Sequence, residues 1–175
     1  MNKDSTTTTR RTKRAPFSQS REAARMRACH GQRLAGIVAS ATGKRVALED
    51  FQPGREHPIP LDWPTEIAHS PGLVLPYIAR DVAHALLEDM QASLGRIDGV
   101  IGFHGNRFLG LADLQDISPT SLLEAAEASE DSVLFYLDDP RGVLLVDCYS
   151  CPPAHPFSVA VRGEALIQRL QHCFE

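Results

Sequence analysis

Six prolines, Pro53, Pro58, Pro60, Pro64, Pro71 and Pro76, fall within 24 positions. No regular helix persists through that spacing, because each ring fixes φ, removes a backbone N–H and biases the preceding residue away from helix. The chain is therefore read in three parts. Residues 1–45 are a basic arm, partly disordered and then helical. Residues 46–76 are a Pro-rich extended segment. Residues 77–175 are an α+β domain. Phe51, Leu61 and Trp63 argue that the extended segment wraps over the body, since large apolar side chains are seldom left in water.

Charge divides along the same lines. Residues 1–45 carry eleven Lys and Arg side chains against Asp4 and Glu22, a net +9. The other 130 residues hold the remaining seven basic and twenty acidic groups, a net −13. A basic arm on an acidic body points to an anionic partner: nucleic acid, an acidic protein surface or the body itself. The residues singled out for that contact are Arg10, Arg11, Lys13, Arg14, Arg21, Arg25 and Arg27. Docked on DNA they would mostly meet phosphate, giving affinity with little sequence choice. Phe17 is the arm's one aromatic, so stacking on single strands is poorly supported.

Residues 1–17 are Thr-rich and basic and read as disordered. From Ser18 or Ser20 a capping serine precedes strong helix formers, with Gly31 as a weak point or break and Gly43 as a stop. Residues 77–95 form the clearest helix, with Ile78, Val82, Leu86, Met90 and Leu94 recurring every four positions. A first hairpin follows, with Val100, Ile101 and Phe103 on one arm and Phe108, Leu109 and Leu111 on the other. Gly105-Asn106 supplies its turn. Ser118-Pro119 opens a second helix. The run SVLFYLDDPRGVLLVDCY is a second hairpin around Asp138–Gly142, then Phe157, Val159 and Val161 alternate on a third strand. Leu166, Ile167, Leu170 and Phe174 stripe a closing helix. The expected fold is thus α+β: a five-stranded, mostly antiparallel sheet with helices packed on it, preceded by the basic helical arm.

Four cysteines are too few for a disulfide scaffold. Cys148, Cys151 and His155, with Cys173 further on, have the residue types and spacing of a tetrahedral zinc site. The competing reading is buried thiols packing as small hydrophobes. Redox activity of the Cys148/Cys151 pair is disfavoured by Pro152-Pro153, which replace the helix start that activates such thiols. No phosphate-binding loop, nucleophile elbow, metalloprotease or dinucleotide motif occurs, so the chain reads as a non-enzyme without a cofactor other than that zinc. No apolar run reaches the length of a membrane span and the start lacks a secretory h-region, so the expected location is cytoplasmic.

From residue 77 the order of elements resembles the Roadblock/dynein light chain family. Leu94, Ile97, Gly99, Val100, Gly102, Gly105 and Leu109 carry the first part of the likeness. Val133 to Tyr149, Phe157 to Val161 and Leu166 to Leu170 carry the second. The resemblance implies a homodimer with sheets joined across the interface, and a scaffold or regulator of a protein partner, often a small GTPase. Two other readings stand beside it: a nucleic-acid-associated regulator using the arm, and a small acidic secretion chaperone or toxin-neutralising immunity protein.

Overall fold

The computed structural model describes residues 21–55, 72–148 and 156–175. In chain order it has helix α1 (Arg21–Thr42), strand β1 (Leu73–Ile78), α2 (Arg80–Leu94), β2 (Ile97–Phe103), β3 (Ala112–Ile117), α3 (Ser121–Ser129), β4 (Val133–Leu137), β5 (Gly142–Asp147), β6 (Phe157–Arg162) and α4 (Glu164–Leu170). Short 3₁₀ turns occupy Leu48–Asp50 and Gln171–Phe174.

The six strands form one open antiparallel sheet in the order β1-β6-β5-β4-β2-β3. Its centre is the hairpin read from Asp138–Gly142, with Val133 opposite Val146 and Leu137 opposite Gly142. Side chains alternate across a strand, so each central strand contributes to two faces. Ile101, Phe135, Leu144 and Val159 face the helices and share a core with Leu87, Met90, Leu122 and Leu166. Val100, Leu134, Tyr136, Val143, Leu145 and Ala160 form a second apolar cluster on the other face, to which no helix contributes. Burial on both faces explains why β4 and β5 read as continuous apolar runs.

The sheet has six strands where five were expected. The additional one is β1, which the proline count had placed in the extended segment. Pro76 is compatible with it because β1 lies at the sheet edge, where a missing N–H leaves no ladder partner waiting. The pairing with β6 is irregular between Leu75 and Ile78, and Tyr77 takes φ 55° there. The following helix accordingly starts at Arg80, after Ile78 has ended the strand.

The first hairpin also differs from expectation. Phe108 and Leu109 lie in the connection between β2 and β3, buried in the core as loop residues. The helical part of the arm runs from Arg21 to Thr42, within the bounds expected, and is packed on the body. α1 is one continuous helix whose Ala23, Leu34, Ala35 and Val38 are buried in the helix-side core, packed against α3. Gly31 is not a break: a Cβ there would lie 2.6 Å from Leu48 Cδ1, so the missing side chain lets Leu48 close on the helix. Residues 21–45 thus belong to the folded body and share its core.

Both sheet edges are blunted. On β3, Asp113 and Asp116 are exposed and paired with basic side chains, and Asp116 takes φ 54°. On β1, the irregular pairing and Pro76 interrupt the ladder. These are the devices by which natural sheets avoid adding a further strand.

Candidate interaction surface

The first turns of α1 present Arg21 and Arg25 to solvent. They lie four residues apart and therefore on one helix face. Arg10, Arg11, Lys13 and Arg14 lie outside the described residues.

Arg27 is turned inward and serves another purpose. Its guanidinium donates to the carbonyl of Leu48 at 2.6 Å, to that of Phe51 at 2.7 Å and to that of Leu109. One side chain thus ties α1 to the 3₁₀ turn and to the β2–β3 connection. Partial burial pushes its pKa down, with the nearby Glu49 acting in the opposite direction. The fork of five donors suits this task, since backbone carbonyls left without donors in such a place would be costly. The sequence did not distinguish Arg27 from its exposed neighbours, because its acceptors lie 21, 24 and 82 residues away.

A second polar anchor holds the far end of that connection. The buried Asp131 carboxylate accepts from Gly105 N at 2.8 Å, Asn106 N at 3.0 Å, Asn106 Nδ2 at 2.5 Å and Ser132 N at 2.7 Å. Beside it the Ser132 hydroxyl donates to the buried Asp147 at 2.5 Å. The Gly105-Asn106 pair is therefore a docked loop rather than a tight hairpin turn. His104 flanks it and stacks its charge state against Arg107: burial and that arginine lower its pKa, while Asp131 and Asp147 oppose the shift.

The residues proposed for zinc are not brought together where the structure describes them. Cys148 donates its thiol to the carbonyl of Ala126 at 3.0 Å and lies 3.5 Å from that of Asp131. Cys173 lies 3.9 Å from the Ser93 hydroxyl and 3.5 Å from His172 Nε2. Burial raises the Cys173 pKa, which favours the thiol over the thiolate a metal needs. The strand register sets the two cysteines at opposite ends of β5. Cys148 follows its last residue, whereas Ser93 precedes β2, whose pairing begins level with Gly142. Cys151 and His155 lie outside the described residues. Among the described residues no three His, Cys, Asp or Glu side chains converge to hold a metal ion.

Two of the open grooves among the described residues bear on the chemistry. One, of about 500 Å³, lies between α2 and the start of α3 and is lined by His84, Glu88, Gln91, Arg96, Ser118 and Thr120. Its polar groups are mostly engaged with each other or with neighbours. His84 Nδ1 is 3.5 Å from Glu88, Ser118 bonds Gln91 and Thr120, and Arg96 pairs with Asp116. The other, of about 520 Å³, lies beside the β4–β5 turn and is lined by Leu94, Asp139, Pro140, Ala165, Gln168 and Arg169. Neither aligns a nucleophile with a base at hydrogen-bonding distance.

The chain is an α+β protein; its described residues form an open antiparallel sheet of six strands with four helices packed on it. No protein-family model, curated protein or solved structure matches it. No helix among the described residues is long and apolar enough to cross a membrane.

Proposed function

We propose that the protein is a non-enzymatic interaction and regulatory module, which engages an acidic protein partner through its basic N-terminal arm. The observation that carries this reading is how α1 is mounted. Its inner half is embedded through Leu34, Ala35 and Val38, and Arg27 fastens it to two further segments. Arg21 and Arg25 stand exposed at its start, where the four more distal basic candidates join. A rigid base of this kind fixes where the positive field sits and lowers the ordering cost of binding. The Roadblock resemblance adds a scaffold role beside a small GTPase as the partner type to test first.

The test compares three species by fluorescence anisotropy against a labelled acidic peptide and a labelled DNA duplex. They are the full chain, its Arg21→Ser/Arg25→Ser variant and a free peptide of residues 1–35. The full chain is expected to bind the acidic peptide several-fold more tightly than either of the others, with affinity falling as salt rises. Equal affinity of the free peptide and the full chain would show that the mounting is irrelevant and sink the reading. Preference for DNA with a steep salt slope would transfer it to the nucleic-acid-associated regulator.

A further inference from the structure

Three side chains that carry protons or attack electrophiles meet where the end of α2 packs against the 3₁₀ turn Gln171–Phe174. Ser93 Oγ lies 2.9 Å from His172 Nε2 and 3.9 Å from Cys173 Sγ, and that sulfur lies 3.5 Å from the same Nε2. His172 is exposed and Cys173 half-buried, so the sulfur is open to a small reagent. From this cluster we infer that Cys173 is a covalent modification site, an imidazole-assisted thiol that exchanges with a small zwitterionic peptide disulfide.

The geometry supplies what such a thiol needs. Burial raises the Cys173 pKa, the Ser93 hydrogen bond lowers it and Asp89 raises it, so the resting sulfur is protonated. The thiolate is the nucleophile, and a base must therefore take the proton as the sulfur attacks. With its ring proton on Nδ1, His172 presents the Nε2 lone pair to that thiol. Sγ then bonds one sulfur of the disulfide as the old S–S bond breaks. The departing thiolate leaves with the proton that Nε2 took, so the exchange consumes nothing but the disulfide. Ser93 is the positioning residue and suits both states of the ring. Its hydroxyl donates to neutral Nε2. Once that nitrogen is protonated, it turns its proton to the Asp89 carbonyl, 3.1 Å away, and accepts from the imidazolium.

The class of disulfide follows from what adjoins the cluster. Arg169 donates to the Ser93 carbonyl at 3.1 and 3.3 Å, and it also lines the groove beside the β4–β5 turn. Leu94, next to Ser93, lines the same groove. Its volume of about 520 Å³ is within the range of small-molecule sites. Arg169 offers a guanidinium for a carboxylate there, and Asp139 a carboxylate for an ammonium. Both are exposed. A peptide thiol with both kinds of terminus suits this pair, with its sulfur directed to Cys173.

The test treats the full reduced chain with oxidised glutathione and follows the mixed disulfide at each cysteine by peptide mass mapping. Cys29, exposed on α1, is the internal reference. Cys173 should react several-fold faster than Cys29 at pH 7, although it is the less exposed of the two. His172→Gln should slow Cys173 at least about tenfold, leave Cys29 unchanged and steepen the pH dependence of the Cys173 rate between pH 6 and 8 to that of Cys29. Ser93→Ala should slow Cys173 to a lesser extent. Arg169→Gln should lower the Cys173 rate with oxidised glutathione and spare the rate with the uncharged disulfide of mercaptoethanol. His172 and Arg169 are exposed, so both variants are expected to keep the parent's urea midpoint. A Cys173 rate no higher than that of Cys29, or one that His172→Gln does not change, would overturn the site. An equal effect of Arg169→Gln on both disulfides would overturn the zwitterionic partner. None of these outcomes bears on the basic arm, whose test stands apart.

Discussion

Replacing Arg27 with methionine keeps most of the side-chain stem and removes the guanidinium. The carbonyls of Leu48, Phe51 and Leu109 then lose this donor together, although that of Leu48 still accepts from Phe51 N at 3.2 Å. A hydrogen bond from a charged donor contributes about 1.5–3 kcal/mol net. The three share one group and do not add independently. Part of the loss is offset because a partly buried charge no longer has to be desolvated, the same burial that lowers the pKa of Arg27. The expected loss is therefore about 2–4 kcal/mol, a large share of the roughly 5–15 kcal/mol that holds a domain together. Urea unfolding followed by circular dichroism would read it as a lower midpoint at unchanged slope. Arg27→Lys should recover only a minor part, since a single ammonium cannot address three carbonyls in a fork. Arg25→Met, two residues away on the exposed face, should stay within about 0.5 kcal/mol of the parent. A loss below about 1 kcal/mol in Arg27→Met would mean that the three contacts do not hold α1 in place, and would remove the mounting argument with them.

Gly99→Ala should cost more than about 3 kcal/mol, because a Cβ there would press into the carbonyl of Tyr136 and sit 2.9 Å from Phe135 Cε1, where β2 pairs with β4. Soluble expression with a parent-like urea midpoint would contradict it. Asp131→Ala should cost about 2–4 kcal/mol by leaving the N–H groups of Gly105, Asn106 and Ser132 without their acceptor. Hydrogen exchange should then accelerate first at Gly105 and Asn106, and uniform acceleration across the sheet would argue against local anchoring. For His104, burial and Arg107 depress the pKa in the fold below its usual 6.5, so the neutral ring is the favoured form. Its contribution to stability is full above that value and is lost as pH falls through the lower folded pKa. His104→Gln should therefore flatten the loss of urea midpoint between pH 7.5 and 5, and an unchanged slope would refute the assignment.

What the sequence determined by itself was the class of fold and its centre. The β4–β5 hairpin was legible because its turn residues and apolar runs are local signals: Asp138–Gly142 reverses the chain whatever surrounds it. The helices α2 and α4 were legible from apolar periodicity, and α3 from its Ser118-Pro119 start, for the same reason. The tertiary structure alone decided three things. Leu73–Ile78 became a strand because β6 offers it one edge and the other stays free, and only that asymmetry accommodates Pro76. Phe108 and Leu109 became buried loop residues because Asp131, more than twenty positions on, draws the chain inward at Gly105 and Asn106. Arg21, Arg25 and Arg27 look alike in one dimension. Two face water and the third holds the body together, because the carbonyls that need a donor reach only one side of α1. Local pattern fixes which elements form, while distant partners fix edges, loop depth and the direction in which a charge points.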